Sequence, residues 1–285
     1  MNRTLIVGAT GNVGRQVLHQ LPAATMHIRA LVRDSTKADF PAHVEVVQGD
    51  LTDAESLKKC LARVDTVFLV WTAPQTAVPA AMELIATHPR RIVFLSSPHK
   101  TQHPFFQASQ PNMISILHED IERRIEFSGC QWTFLRPGIF SANALSWWAK
   151  AIRDGDIVRW PYLAARTAPI DEADIAAVAV HVLCEGTHAN AEYVLTGPES
   201  LTQSEQIAAI AEQIGRPLQA DEISPGEALH ELVDRIPLPA VKMLLAAWAA
   251  AVDQPALVTS SVLEITGRRA RSFREWSAAN TAAFR

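Results

Sequence analysis

Apolar and polar positions along the chain predict short buried strands separated by amphipathic helices. Thr4–Val7 is an apolar run that is too short and too rich in β-branched residues for a helix. Similar runs recur at regular spacing, and the predicted strands are Thr4–Val7, His27–Val32, Val44–Val47, Thr66–Val70, Arg91–Leu95 and Trp132–Leu135. Strands that alternate with helices in this way predict an α/β fold of Rossmann type, with a doubly wound parallel sheet.

Helical periodicity fills the intervals between these runs. The predicted helices of this half are Val13–Leu21, Thr52–Leu61, Ala77–Thr87 and Asn112–Ser128. Thr52 and Glu55 have the spacing of a capping box, which predicts that Thr52 begins the second helix. A long connection, Ser96–Pro111, follows the fifth strand, and long loops at strand ends of such folds commonly carry function.

The pattern changes after Arg136-Pro137-Gly138, where helices begin to dominate. Helices are predicted at Asn143–Arg153 and Asp171–Cys184, in a long stretch beginning at Pro239, and after capping boxes at Thr202, Ser224 and Ser272; short strands are predicted at Asp156–Tyr162 and Glu192–Thr196. We therefore predict a nucleotide-binding domain at residues 1–150 and a smaller, mainly helical substrate domain at residues 151–285. The helix at residues 171–184 is expected to pack back onto the sheet.

A glycine-rich loop joins the first strand to the first helix. Gly8, Gly11 and Gly14 form a G-x-x-G-x-x-G pattern in the strand–loop–helix context of a dinucleotide site. Gly8 suits a tight turn, Gly11 lets the backbone approach a pyrophosphate, and Gly14 allows close packing of the helix on the strand. Backbone amides of the loop and first turn, at Thr10, Asn12 and Val13, are expected to hold the anion.

Composition narrows the class of protein further. The 285-residue chain has a net charge of −4, which gives no electrostatic footprint for nucleic acid or an anionic membrane surface. Its apolar runs are too short to span a bilayer, and the first strand begins so early that no signal peptide is expected. The cysteines, Cys60, Cys130 and Cys184, are odd in number and widely spaced, which favours reduced core thiols and a cytoplasmic location.

Three segments together resemble one known family. The Gly8–Gly14 loop, Gln48-Gly49-Asp50-Leu51 and the Trp132–Gly138 segment (WTFLRPG) are similar to the NmrA-like branch of the atypical short-chain dehydrogenases/reductases. The likeness covers most of the chain. It implies a Rossmann fold and a bound nicotinamide cofactor, and the branch includes NADPH-dependent quinone, enone and imine reductases as well as non-catalytic NADP-sensing regulators.

Residues near the end of the second strand favour NADP(H) over NAD(H). Arg33 stands about 20 residues past the glycine loop, where NAD-specific proteins carry an acidic residue for the ribose 2′-hydroxyl. A guanidinium at this point suits a 2′-phosphate, and Lys37 is expected to assist. Asp34 follows immediately, so NAD(H) stays open as the alternative cofactor. The alternative role for Arg33 is that of a solvated surface arginine without a ligand.

Further cofactor contacts are expected where the strands end, because ligands bind at the carboxyl ends of parallel strands. The resemblance implies that Asp50 accepts from the adenine amino group, although Asp50 also fits a simple turn carboxylate. The other expected contacts are Leu51, Thr72, Ala73, Ser96, Pro137 and Phe140. The resemblance also implies a catalytic serine at the end of the fifth strand, where Ser96 and Ser97 lie.

The helix at residues 112–128 departs from the reductase pattern. The family's Tyr-x-x-x-Lys motif would fall on Ile114 and His118, so the usual tyrosine proton donor is absent. His118 is expected to hold the nicotinamide ribose and, with an ordinary histidine pKa near ~6.5, to relay a proton; a surface histidine without a role is the alternative. Ser97 and Tyr162 are the other catalytic candidates.

Aromatic residues cluster after the strand ends and predict an apolar cleft for a small apolar or aromatic substrate. They are Phe105, Phe106, Phe140, Trp147, Trp148, Trp160 and Tyr162. His99 and His103 have i, i+4 spacing without a set of carboxylate or cysteine ligands, so no metal is expected.

The favoured function is NADPH-dependent hydride transfer to a bulky quinone, enone or imine, by a monomer or homodimer. An acceptor of that kind needs less help from a fixed acid. The alternatives are a sensor of NADP(H) that contacts a protein partner, and an isomerase or epimerase with a bound nucleotide.

Overall fold

The structure is a computed structural model that describes residues 2–24, 26–108 and 112–285, without the side chain of Lys37. Its strands are β1 (Asn2–Val7), β2 (Met26–Val32), β3 (Val44–Gln48), β4 (Thr66–Val70), β5 (Arg91–Leu95), β6 (Gln131–Pro137), β7 (Ile157–Trp160), β8 (Arg166–Thr167), β9 (Ala191–Leu195), β10 (Leu201–Thr202) and β11 (Gln219–Glu222). Its α-helices are α1 (Asn12–Gln20), α2 (Ala54–Leu61), α3 (Val78–Thr87), α4 (Met113–Glu126), α5 (Asn143–Trp147), α6 (Ala149–Asp154), α7 (Glu172–Cys184), α8 (Gln203–Ile214), α9 (Pro225–Leu232), α10 (Leu238–Ala251), α11 (Ser261–Thr266) and α12 (Phe273–Ala279).

A seven-stranded parallel sheet with the strand order β3-β2-β1-β4-β5-β6-β9 forms the centre of the molecule. The order reverses direction between β1 and β4, which opens the crevice where ligands of such sheets bind. Because all these strands are parallel, the glycine loop after β1 and the segments after β4, β5 and β6 emerge at one edge. The predicted Rossmann-type fold is confirmed.

Successive side chains of β1 point to opposite faces of the sheet and enter two different cores. Ile6 packs with α1 and α7, including Val17 and Val178. Leu5 and Val7 pack on the other face with residues of α2, α3 and α4. Both faces of the sheet are therefore covered by helices, as its apolar strands require.

Two elements beyond residue 150 belong to this sheet layer. The predicted helix at residues 171–184 is α7, which packs against α1. The predicted strand Glu192–Thr196 is β9, which pairs in parallel with β6 from Thr133↔Ala191 to Pro137↔Leu195. The division at residue 150 stays a prediction, but the sheet takes its last strand from the later segment.

A third core lies beside the sheet and is built mainly from the later elements. Its centre is a group of four indole rings with centroid separations of 5.4–5.8 Å, formed by Trp147, Trp148, Trp160 and Trp248. The same cluster contains apolar residues of α8, α9, α10 and α12. The short pairs β7–β11 and β8–β10 border it. Four tryptophans bury a large apolar area, so this layer has a core of its own.

Several local predictions need correction. Asp53, not Thr52, caps α2: its carboxylate accepts from the amides of Glu55 and Ser56, whereas the Thr52 hydroxyl donates to Asp50. The predicted helix at residues 143–153 is broken at Trp148 into α5 and α6. Cys184 is exposed at the end of α7 and is not a core thiol.

In the described part of the chain, no helix is both long enough and apolar enough to span a membrane.

Candidate cofactor and substrate site

The glycine loop has the backbone geometry that the sequence predicts. Gly8 has φ of +77°, in the left-handed region, and its carbonyl accepts a 3.0 Å hydrogen bond from the Gly11 amide. A Cβ atom on Gly14 would lie 2.2 Å from the Gly8 carbonyl oxygen, so α1 packs directly on the loop. Any larger residue at position 14 would separate the helix from β1.

The N-terminus of α1 is open toward the crevice. Gly11 is the N-cap, Thr10, Gly11 and Asn12 are exposed, while Val13 is buried, and no side chain of the described residues caps the helix or adds an acidic group to its first turn. The amides of this turn therefore lack intrahelical partners, and together they form the positive end of the helix dipole. This arrangement fits a dinucleotide pyrophosphate.

A cationic residue follows the end of β2. Arg33 is exposed, and its positive charge contributes to holding the pKa of Asp50 below the ordinary value, after the two hydrogen bonds from Thr52. Asp34 turns toward its own chain, where its carboxylate accepts from the amide and the hydroxyl of Thr36 at 3.0 and 2.6 Å.

The contacts expected after β3 and β4 lie directly after the ends of these strands. Asp50 is half-buried and Leu51 is buried behind it. Thr72 is exposed, and the Ala73 carbonyl accepts a 2.6 Å hydrogen bond from the indole of Trp71, which fixes this turn. The side chain of Lys37 lies outside the described part, so its expected role stays a prediction.

A cavity of about 350 Å³ opens where β5 and β6 end. Its apolar wall comes from three places: the turn Pro104–Phe106 in the long loop, the segment after β6, and α10. The lining residues include Phe105, Phe106, Pro137, Ile139, Phe140, Met243 and Leu244. Polar groups converge on one side and include Ser96, Ser97, His99, Asn112, Ser115, His118 and Asn143. Apolar walls with a few grouped polar side chains are typical of small-molecule sites.

His118 lies on the α4 side of this cavity, edge-on to the ring of Phe94 with centroids 5.5 Å apart. Burial, with a smaller contribution from His99, lowers the pKa of His118 to about 4. The ring is therefore neutral near pH 7, and its Nδ1 is buried without a hydrogen-bond partner among the described residues. A neutral imidazole can hold a ribose hydroxyl, but it is a poor source of protons at that pH.

A buried charge network lies beneath the polar side. Glu122 is completely buried, and its carboxylate receives hydrogen bonds from Arg136 Nε at 2.9 Å, Arg136 Nη2 at 2.7 Å and Ser96 Oγ at 2.7 Å. His99 Nε2 lies 3.5 Å and Lys100 Nζ 3.3 Å from the same carboxylate. Burial opposes the charge of Glu122, but Arg136 and Ser96 hold its pKa below the ordinary value.

Sequence reasoning missed Glu122 and His99 as parts of this site. Glu122 stands between Ile121 and Ile125 on the buried side of α4. A glutamate on the buried side of a helix needs a buried partner of opposite charge. The Trp132–Gly138 segment contains such a partner, Arg136.

The structure does not place Tyr162 at the cavity. Tyr162 is half-buried against the tryptophan core with φ of 52°, and its carbonyl accepts from Ala165 and Gln203. Trp147, Trp148 and Trp160 belong to that core too, whereas Phe105, Phe106 and Phe140 line the cavity.

The two histidines with metal-like spacing serve separate purposes. His103 accepts from the Phe105 amide and contacts the Pro255 carbonyl at 2.9 Å, while His99 lies at the buried carboxylate. Across the described residues, no group of three or more His, Cys, Asp or Glu side chains is arranged for a metal ion.

Comparison with known proteins places the chain among NAD(P)H-binding proteins. An NAD(P)H-binding family model matches residues 8–185, from the glycine loop to the end of α7. A (4-alkanoyl-5-oxo-2,5-dihydrofuran-3-yl)methyl phosphate reductase from Streptomyces griseus is 36% identical over 98% of this chain and 98% of its own. An NAD(P)H azoreductase from Xenophilus azovorans is 33% identical, again over 98% of both chains.

Solved structures show the same fold. An NADPH-dependent quinone oxidoreductase from Escherichia coli superposes with a TM-score of 0.78 at 23% identity, over 97% of this chain and 99% of that one. The triphenylmethane reductase of Citrobacter sp., solved with NADP(H), gives a TM-score of 0.77 at 20% identity, over 98% and 99%.

Fold, glycine loop and crevice define an NAD(P)H-binding protein of Rossmann type. The chain belongs to the NAD(P)H-binding family, within its NmrA-like branch of atypical short-chain dehydrogenases/reductases. The expectation of an oxidoreductase agrees with these relatives.

Proposed function

We propose that this protein is an NADPH-dependent reductase that transfers hydride to a flat, apolar, unsaturated acceptor such as a quinone, enone or imine. The cavity of about 350 Å³ at the ends of β5 and β6 carries the proposal, because it combines an apolar wall with grouped polar side chains beside the strand ends. A sensor of NADP(H) would need no such cavity.

The cofactor fits the residues of this chain at both ends. When bound, NADPH supplies the hydride. The free amides at the start of α1 would hold its pyrophosphate, and Arg33 would pair with its 2′-phosphate. Oδ1 of Asp34 is already engaged by Thr36, which supports a preference for NADPH over NADH.

His118 takes the position that the missing lysine of the family motif would occupy. Its neutral ring would donate or accept one hydrogen bond with the nicotinamide ribose, which orients the cofactor toward the cavity. The role is one of positioning, since a group with a pKa of about 4 carries almost no acidic proton near pH 7.

The cavity walls favour an aromatic or conjugated acceptor. Phe105 and Phe106, together with Met243 and Leu244 of α10, give the cavity an apolar lining suited to a flat ring system. Relatives named as an azoreductase and a quinone oxidoreductase point to the same kind of acceptor.

Single-turnover oxidation of bound NADPH by a panel of quinones, enones and imines tests the proposal. We expect at least one class to oxidise the cofactor rapidly, with apolar bicyclic acceptors preferred to charged ones. Tight NADPH binding without oxidation by any acceptor would refute the reductase function and leave the sensor or a nucleotide-bound isomerase.

A further inference from the structure

The proposed reductase function requires a proton donor, and no residue has yet been assigned to that role. Reduction of a neutral acceptor consumes a proton as well as a hydride, and the tyrosine that supplies it in the family motif is replaced by Ile114. His118 is neutral near pH 7 because burial lowers its pKa to about 4. The remaining candidates for delivering the proton are the other polar side chains of the cavity.

Ser97 and His99 both line the cavity and lie against each other. The Nδ1 atom of His99 is 2.9 Å from the Ser97 carbonyl oxygen and 3.4 Å from the Ser97 hydroxyl. The hydroxyl contact is long, as catalytic contacts commonly are before substrate binds. A small rotation of the Ser97 side chain would bring its oxygen into hydrogen-bond range of Nδ1.

The other side of the His99 ring faces a carboxylate. Nε2 is 3.5 Å from Glu122 Oε2 and is buried without a hydrogen-bond partner among the described residues. A ring protonated on only one nitrogen would turn a lone pair toward either the Ser97 carbonyl or Glu122. The doubly protonated ring offers a donor to both acceptors.

We propose that His99 delivers, through the Ser97 hydroxyl, the proton that completes reduction of the acceptor. With a quinone, hydride addition places two electrons on the acceptor and leaves an anionic oxygen. That oxygen takes the proton of Ser97 Oγ, and Oγ takes the proton of His99 Nδ1. The acceptor becomes a neutral hydroquinone, His99 becomes a neutral imidazole, and solvent restores its proton.

The groups that face His99 determine how readily the proton leaves. Glu122 favours the protonated ring, while burial and the positive charges of Arg136 and Lys100 oppose it, and burial is the largest effect. His118 also faces the ring. The pKa of His99 therefore lies below its ordinary value, so the protonated fraction, and with it the rate, falls as pH rises, and does so on the acidic side of an ordinary histidine.

Two bicyclic acceptors of similar size separate proton delivery from hydride transfer. A naphthoquinone needs a proton after hydride addition, whereas an N-methyl dihydroisoquinolinium cation becomes a neutral amine and needs none. His99→Gln should slow single-turnover reduction of the naphthoquinone by about 10²-fold and leave the cation within about twofold of wild type. Ser97→Ala should show the same selectivity, and His43→Gln, an exposed histidine away from the cavity, should change neither.

Two further readouts come from the same proteins. NADPH affinity, measured by cofactor fluorescence, should be unchanged in His99→Gln, and the decline of naphthoquinone reduction with rising pH should disappear. If His99→Gln folds poorly, the same measurements on Ser97→Ala test the proton relay, because that substitution removes only one oxygen atom.

Equal slowing of both acceptors, or unchanged naphthoquinone reduction with the wild-type pH profile, would overturn the role of His99. If the wild-type protein oxidises NADPH with no acceptor of the quinone, enone and imine panel, the reductase proposal itself fails, whatever the role of His99. The two failures are thus distinguishable.

Discussion

Arg136 donates from Nε and Nη2 to the two carboxylate oxygens of Glu122, at 2.9 and 2.7 Å, and both side chains are almost completely buried. The pair joins α4 to β6 directly below the cavity. Ser96 at the end of β5 donates to the same carboxylate, so three neighbouring elements meet at one charge. This contact fixes the loop that begins at Ser97.

Removal of the carboxylate charge should be costly. Among the described residues, Glu122→Gln leaves the buried Arg136 with the half-exposed Glu192 as its only ionic partner, and we expect the free energy of unfolding to fall by about 3–5 kcal/mol. Urea denaturation measures the change. Asp120→Asn on the same helix breaks surface pairs with Arg123 and Arg124 and should cost at most about 1 kcal/mol. Equal losses of unfolding free energy in the two variants would show that the buried pair stabilises the fold no more than the surface pairs do.

Cofactor preference should depend on Arg33. A charge-assisted contact to the 2′-phosphate contributes about 1.5–3 kcal/mol, so NADPH should bind at least about tenfold more tightly than NADH. Arg33→Ala should remove most of that preference while NADH affinity stays the same, which isothermal calorimetry can measure. An unchanged ratio of affinities in the variant would assign the 2′-phosphate to another group.

Two glycines of the loop should respond differently to substitution. At Gly11 a Cβ meets only the Gly8 carbonyl, at 3.3 Å, and the residue is extended and exposed, so Gly11→Val should fold but lose NADPH binding. At Gly14 a Cβ would lie 2.2 Å from that carbonyl, so Gly14→Ala should lower the melting temperature even without cofactor. Thermal melts with and without NADPH separate the effects. Normal NADPH affinity in Gly11→Val would place the pyrophosphate elsewhere.

His118→Ala should lower turnover by about 10²-fold, because the ribose loses its orienting partner. NADPH affinity should weaken as well, which distinguishes this variant from His99→Gln. Since the pKa of His118 is about 4, its loss should leave the pH profile above pH 6 unchanged in shape. His118→Gln keeps a hydrogen-bonding amide and should recover part of the rate. A profile that flattens in His118→Ala would make this histidine the proton donor after all.

Glu172, at the start of α7, predicts an unusual pH dependence of stability. Burial raises the pKa of its carboxyl to about 7 from 4.5, so the folded state binds more protons than the unfolded chain between these values. Stability from this group is therefore present at acidic pH and is lost as pH rises from about 4.5 to 7, by about 3 kcal/mol in total.

Glu172→Gln retains an acceptor for the Ala142 amide and should be more stable than wild type at pH 8, but not at pH 4. Urea denaturation at both pH values tests this. Glu83→Gln, on the exposed side of α3, is the control. A stability difference that is the same at both pH values would argue against a titrating Glu172.

Features encoded by neighbouring residues could be predicted from the sequence. The capping boxes at Thr202, Ser224 and Ser272 are confirmed, because each needs only its own side chain and a glutamate three positions later. The box at Thr52 was wrong because Asp53, one residue on, competes with a stronger acceptor, and Thr52 bonds backwards to Asp50.

Features that depend on packing could not be predicted in the same way. The pairing of β9 with β6 joins segments more than 50 residues apart, with three of the four core tryptophans between them, and nothing local marks Ala191–Leu195 as a strand of the main sheet. The lowered pKa of His118 likewise comes from burial beside Phe94 and His99, which residue type alone does not reveal.

The late arrival of β9 has a consequence for how the protein can be made. A fragment that stops at residue 150 would leave β6 as an open edge, with unpaired amides and carbonyls along Thr133–Pro137. It would also uncover the face of α1 that packs on Val178 and its neighbours in α7. On the ribosome, the main sheet gains its last strand only when Leu195 has been made. Truncation at residue 150 is therefore expected to expose a strand edge and an apolar helix face together.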